Sequence, residues 1–233
     1  MSAPPFANLA AYGTYLGEIV PDAKASTTNE QFVTAALLRL SEEQPCVEAV
    51  DVGDGSTKEW TLGSGDFARW QQGFSERFEL TVERLVAAAS TFDPTYLEEG
   101  VDWKIEQRTT GGAPVYVLRF VTAPSSTDKV RVRFSRPWRV SGTGGSAISE
   151  VPGNLQMAVI YKAAELKCNA LAAIYASTVD TTVASDVFQA DPTVERYGRR
   201  AGEFEQLYDQ ILGVRKGTFT AGVVPTVAGR VFP

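Results

Sequence analysis

Five short stretches of this sequence carry residue types that could do chemistry. Ser126-Thr-Asp-Lys129 has the Ser-x-x-Lys spacing in which a lysine activates a serine for acyl transfer. It falls in a turn between two strand-like runs rather than at a helix start, with no companion motif, and reads as coincidence. Asp51-Val-Gly-Asp54-Gly-Ser56 starts like a calcium loop, yet Leu62 stands at the twelfth position, where a bidentate glutamate belongs. The glycine-rich run 142–146 lacks the lysine of a phosphate-binding loop. Glu42-Glu43 and Glu98-Glu99 are adjacent carboxylates, and adjacency does not make the opposed pair of a glycosidase. The chain has no histidine, which removes Ser-His-Asp and Cys-His pairs, His-ligated zinc and the commonest neutral-pH base. The expectation is a protein with no catalytic, cofactor-binding or metal-binding residues.

Trp60, Trp70, Trp103 and Trp138 interleave with Arg69, Lys104 and Arg136. Such rings could stack on bases or sugars, but aromatics at strand positions read first as core. Cys46 and Cys168 are isolated in sequence, which favours buried small hydrophobes in a reducing compartment over a disulfide.

The elements that must position these residues fit an ordinary globular chain. The 233 residues are 44% hydrophobic and 21% charged, enough for one large or two small cores. No apolar run is long enough to span a membrane, and the first residues lack a basic stretch leading into an apolar one, so neither membrane span nor signal peptide is expected. The net charge of −6 argues against binding nucleic acid through phosphate contacts. Segments 1–46, 47–150 and 151–214 each net −3, whereas 215–233 has three basic residues and no acid.

Phe6, Leu9, Ala10, Tyr12 and Leu16 give a first helical stripe, expected to be ended by Gly17 and Pro21. Phe32, Ala36, Leu37 and Leu40 give a second, capped by Thr28 or Asn29 and closed by Pro45. From Val47 to Val140 the pattern turns to strands. Asp54-Gly55 reads as a hairpin between 47–52 and 57–62, and Gly111-Gly112 as a turn. Alternation marks Phe78, Leu80, Val82; Tyr116, Leu118, Phe120; and Val130, Val132, Phe134. A short helix is expected around 66–73. The stretch 141–146 reads as a linker. An alanine-rich helix follows from Pro152 to about Ser177, with Ala163 and Ala170 among small residues that suit close helix or subunit packing. Asp191 and Pro192 open a last helix, ended by Gly213, whose seam includes Tyr197, Phe204 and Tyr208; it reads as one partner of an antiparallel helix pair.

Together these elements predict an α+β protein. N- and C-terminal helices (1–46 and 142–214) form a helical bundle, 47–141 is an inserted antiparallel β domain, a small sandwich or barrel, and 215–233 is an extended C-terminal arm. The arm's apolar residues among glycine and proline fit either burial on a partner, for instance by strand addition, or a frayed terminus.

Two runs carry a resemblance. Glu150-Val-Pro-Gly-Asn-Leu-Gln-Met-Ala-Val-Ile-Tyr-Lys-Ala-Ala-Glu-Leu166 continues to Asn169-Ala-Leu-Ala-Ala-Ile-Tyr-Ala176. After a polar loop comes Asp191-Pro-Thr-Val-Glu-Arg-Tyr-Gly-Arg-Arg-Ala-Gly-Glu-Phe-Glu-Gln-Leu-Tyr208. This pair resembles the closing helices of head-to-tail adaptor (head-completion, connector) proteins of tailed bacteriophages, and 6–16 with 32–40 resemble their opening helices. The β insertion departs from the smallest adaptors, which are nearly all helix.

The resemblance implies a virion structural protein and not an enzyme. It implies a ring of self-copies, commonly a dodecamer, at the neck of the particle. The ring would be assembled in the host cytoplasm between the portal protein and a tail or head-completion protein, with DNA passing through. It also implies a portal-binding arm, here Arg215, Lys216, Phe219, Val223, Val224, Val227, Arg230 and Phe232. Competing readings are another phage tube component, a tail terminator or baseplate protein, and a carbohydrate-binding β module with helical flanks.

Overall fold

Thr28 and Gln31 start one helix by reciprocal capping. The Gln31 amide donates to Thr28 Oγ1 at 3.3 Å and the Thr28 amide to Gln31 Oε1 at 2.9 Å, so two otherwise orphan N–H groups are satisfied. This capping box settles the choice between Thr28 and Asn29. The computed structural model describes residues 6–84, 95–125, 127, 129–141, 148–177 and 192–213. It is α+β, and its chain divides into two compact units: Met1–Ala36 with Val140–Pro233, and Leu37–Arg139.

In the first unit, α1 (Leu9–Ile19) is capped by Asn8, whose Oδ1 accepts from the Ala11 amide at 2.8 Å. The helix runs through Gly17, where the sequence suggested an end. The glycines serve an approach to the start of α2 (Asn29–Glu43). A Cβ on Gly13 would lie 3.2 Å from Glu30 Cγ, and one on Gly17 would lie 3.0 Å from Asn29 Nδ2. The same Asn29 amide donates to Gly13 O at 2.9 Å.

The helix α3 (Gly153–Ser177) has 25 residues and packs against α1 and α4 (Pro192–Leu212). Gly213, at φ +69°, ends α4 in the left-handed conformation that glycine tolerates best. Asp191, the expected cap, lies outside the described residues. The strands β8 (Val140–Ser141) and β9 (Ile148–Ser149) pair antiparallel, so Ser141 belongs to a strand instead of the expected linker; 142–147 lies outside the described residues.

The second unit holds two antiparallel sheets. One has the order β1 (Cys46–Val52), β7 (Val130–Arg136), β3 (Thr81–Arg84), β4 (Thr95–Tyr96). The other runs β2 (Glu59–Thr61), β6 (Ala113–Phe120), β5 (Trp103–Thr110). They are not closed into a barrel. Their apolar faces meet in one cluster that includes Val82, Leu118, Phe120, Val130, Val132 and Phe134. Between β5 and β6 the two-residue turn uses Gly111 and Gly112, both at positive φ (61° and 84°), as a tight hairpin requires. The helix expected around 66–73 is reduced to one 3₁₀ turn at Gly65–Phe67.

The Asp54-Gly55 hairpin does not form. β1 pairs with β7 and β2 with β6, so this turn carries the chain from one sheet to the other. The Asp54 carboxylate accepts from the amides of Ser56 (2.8 Å) and Thr57 (2.6 Å), and the Gly55 amide donates to Pro124 O at 2.9 Å, so the bend is held from both sides. Gly53 has φ 153°, and a Cβ there would lie 2.6 Å from Ser125 O, so the segment 122–125 occupies the space beside the turn.

Candidate functional site

The polar residues that tie the helices of the first unit together converge on the α1–α2 connection. Asp22 Oδ2 accepts the hydroxyl of Tyr175, near the end of α3, at 2.8 Å and that of Tyr197, near the start of α4, also at 2.8 Å. Its other oxygen accepts the Lys24 amide at 2.9 Å. The two tyrosine rings stack at 5.7 Å with 14° between planes, and Lys24 Nζ lies 4.4 Å above the Tyr175 ring. The Lys24 amide first, then the Tyr175 hydroxyl, holds the Asp22 carboxyl below its ordinary range.

About two turns back along α3 from Tyr175, Lys167 is 4% exposed. Its ammonium donates to Val20 O at 2.6 Å and to Asn29 Oδ1 at 2.9 Å. Burial pushes its pKa down, opposed by the charge of Asp22. Arg200 on α4 donates to Ile19 O at 2.8 Å. Carbonyls at the C-terminus of α1 are thus met by two cations from α3 and α4, the charge sign a helix C-terminus favours.

The sequence-derived packing residues sit along the α3–α4 pair. Ala163 is fully buried, Tyr197 and Tyr208 are buried, and Ala170 and Phe204 are half-buried. Phe204 stacks on Tyr161 at 6.2 Å, and Lys162 lies 5.2 Å above the Tyr208 ring. Position numbers rise along α3 (161, 175) as they fall along α4 (204, 197), so the pair is antiparallel. Tyr197 and Tyr208 are therefore spent inside the chain. The arm residues Arg215, Lys216, Phe219, Val223, Val224, Val227, Arg230 and Phe232 lie outside the described residues.

No family model matches the chain, and no curated protein is significantly similar to it.

Residues singled out for other chemistry are committed elsewhere. Asp51 accepts from Arg131 at 2.7 and 2.9 Å, and Asp54 holds its own turn. Arg39 bridges Glu42 and Glu43, each at 3.1 Å. Ser126 lies outside the described residues. Trp103 is 4% exposed, with its indole N–H donating to Leu97 O at 3.0 Å, and Trp70 is 5% exposed. Trp138 is half-buried and donates its indole N–H to Gln44 O at 2.7 Å, while Trp60 packs edge-on against Phe120. Trp103, the first residue a sugar-stacking platform would need, presents no open face. Cys168 is buried and its thiol pKa raised by that burial; Cys46, expected to be buried, is only half-buried in β1.

Asp22, Lys167, Tyr175 and Arg200 carry no mark in the sequence as members of this polar tie, and Asn29 stood out there only as a candidate cap. A more general signal existed for one of them. Lys167 stands directly between Leu166 and Cys168 in an alanine-rich part of α3, and a lysine there must either snorkel or find acceptors. Nothing local marks Asp22 as the acceptor for two tyrosines over 150 residues away.

Proposed function

We propose that this chain is a structural head-to-tail adaptor of a tailed phage, one subunit of a ring that joins portal to tail and extends the DNA channel. The observation that carries the reading is the α3–α4 pair: two long antiparallel helices, the same two runs that resemble the adaptor family, fixed to the α1–α2 connection through Asp22, Lys167 and Arg200. A lever of this kind transmits load without moving its own core, which a ring under a packed capsid must do. The finer architecture proposed with it is a helical bundle made from both ends of the chain, with the β unit as an insertion. That α1 groups with α3 and α4 in one compact unit supports it.

In this reading the protein is not an enzyme and takes no cofactor. It stands at the neck of the virion, after assembly in the host cytoplasm, with the portal protein and a tail or head-completion protein as partners. Acidic segments, each netting −3, suit a channel wall that must not grip passing DNA. The basic, apolar residues 215–233 supply the arm that docks on portal. Electron microscopy of the chain mixed with portal rings tests the whole proposal: a symmetric ring seated under the portal is expected, and no association would overturn it. Removing 215–233 is expected to leave the helices folded by circular dichroism and to abolish portal binding. A ring found at the tail tip or baseplate would assign the chain to the rival tube component.

A further inference from the structure

The carboxylates on the sheet faces of the β unit are neutralised by neighbours. Asp51 pairs with Arg131 at 2.7 Å, Glu83 with Arg133 at 3.1 Å, Glu59 with Arg108 at 2.8 Å, and Glu106 with Lys104 at 2.7 Å. Off the sheet faces some exposed carboxylates, Asp66 and Glu79 among them, have no such partner among the described residues, and two adjacent ones lie at one end of the unit. The turn from Leu97 to Trp103 carries Glu98 and Glu99, both exposed, and among the described residues no cation lies within ion-pair distance of either.

The same turn bears Val101, 61% exposed, and the Val121 amide bonds to the adjacent Asp102 O at 2.9 Å, which brings Val121, also 61% exposed, alongside. These are two of the most exposed large apolar side chains in the described protein. Beside them opens a cavity of about 330 Å³ with Leu97, Phe120, Ala123 and Val130 in its walls and Asp102 at its edge. Arg84 also borders it and is already engaged in an interaction of its own. A recess of mixed lining, with Thr122 and Ser125 beside the apolar side chains, an exposed apolar rim and two unneutralised carboxylates on the adjoining turn, suits a segment that combines apolar side chains with positive charge.

This chain carries such a segment. Residues 215–233 hold Phe219, Val223, Val224, Val227 and Phe232 together with Arg215, Lys216 and Arg230, and no acid. We propose that in the free protein the 215–233 segment of one copy docks into the Leu97–Phe120 cavity of a second copy, its cations against Glu98 and Glu99. The contact is heterologous, so it links copies head to tail and, if the rotation closes, makes a ring. It concerns copies of this chain alone and is independent of whether portal is the final partner.

The test is fluorescence anisotropy of a labelled peptide of residues 214–233 titrated with the full chain. Saturable binding that weakens at high salt is expected. Glu98→Gln with Glu99→Gln, surface changes that leave the core intact, should weaken it about tenfold. Val121→Glu should abolish it, while circular dichroism shows both variants folded. The proposal is overturned by the absence of saturable binding, by equal binding of a scrambled peptide, or by binding that neither variant alters. Because portal takes no part, failure here leaves the adaptor reading standing, and success does not depend on it.

Discussion

Tyr197 on α4 donates its hydroxyl to Asp22 at 2.8 Å, on the same carboxylate oxygen that takes the hydroxyl of Tyr175 from α3. One acceptor thereby closes the end of the helix pair from which 178–191 departs. Asn replaces it poorly, since an Oδ1 that keeps the Lys24 amide turns the NH2 toward the two tyrosine hydroxyls, which must then accept where they now donate. Asp22→Asn and Asp22→Ala are each expected to destabilise by about 1–2 kcal/mol in urea denaturation. The acid side adds a sign. The folded-state pKa of Asp22 is depressed, so its stabilisation is present above the unfolded value and is lost as pH falls through the folded one. Stability measured below pH ~4 should fall less steeply in Asp22→Asn than in the parent.

Tyr197 makes the opposite prediction at high pH. Burial first, then its bond to the Asp22 carboxylate, pushes its phenol up to about 12 from an ordinary 10.0. A raised folded pKa means stability that is whole below the unfolded value and lost as pH climbs through the folded one. Between pH ~10 and ~12 the parent should lose stability that Tyr197→Phe does not lose, read as the difference in their denaturation midpoints. An identical slope in both would remove the coupling from the account.

Lys167 separates charge from packing. Lys167→Met keeps most of the stem and leaves Val20 O and Asn29 Oδ1 without a donor, an expected cost of about 1–3 kcal/mol. Lys167→Ala adds a cavity, for a total of about 2–5 kcal/mol. Calorimetric midpoints should rank the parent above Met and Met above Ala. Its own titration works with rising pH: the folded pKa is lowered, so the folded state sheds its proton first and stability gains up to the unfolded value near ~10.4.

Burial also ranks the arginines of the β unit. Arg136 is 6% exposed and bonds Glu48, which Arg69 also approaches at 3.5 Å, so Arg136→Ala removes the nearer of two cations from a mostly buried carboxylate and should cost about 1–3 kcal/mol. Arg108 touches Glu59 and Glu106 at 2.7–2.9 Å from an exposed position. Arg108→Ala should leave the melting midpoint within error, because water screens what that cluster gains. A large shift for Arg108 and none for Arg136 would overturn this ranking by burial.

Trp103→Phe should cost about 1–2 kcal/mol through the lost bond to Leu97 O, and Trp103→Ala about 3–5 kcal/mol through the cavity. In the parent, glycans added at millimolar level should leave tryptophan emission unchanged. A saturable change would revive the carbohydrate module.

Local physics made the elements legible from residue order. The Thr28–Gln31 box, Gly213 after α4 and the Gly111-Gly112 turn each rest on a few adjacent residues whose conformational demands do not depend on the rest of the chain. The alternation of Val130, Val132 and Phe134 placed β7's inward face for the same reason, since a strand's side chains have a period of two wherever it pairs. Tertiary structure alone decided who pairs with whom. The run 47–52 could have met its sequence neighbour across Asp54-Gly55. It instead met Val130–Arg136, about eighty positions away, and the turn became a bridge between sheets. The same holds for the polar tie: an aspartate in a loop, a lysine in an alanine-rich helix and two tyrosines are unremarkable apart. They acquire partners only when folding brings acceptors and donors to 2.6–2.9 Å in a place where leaving either unpaired would cost more than ordering both.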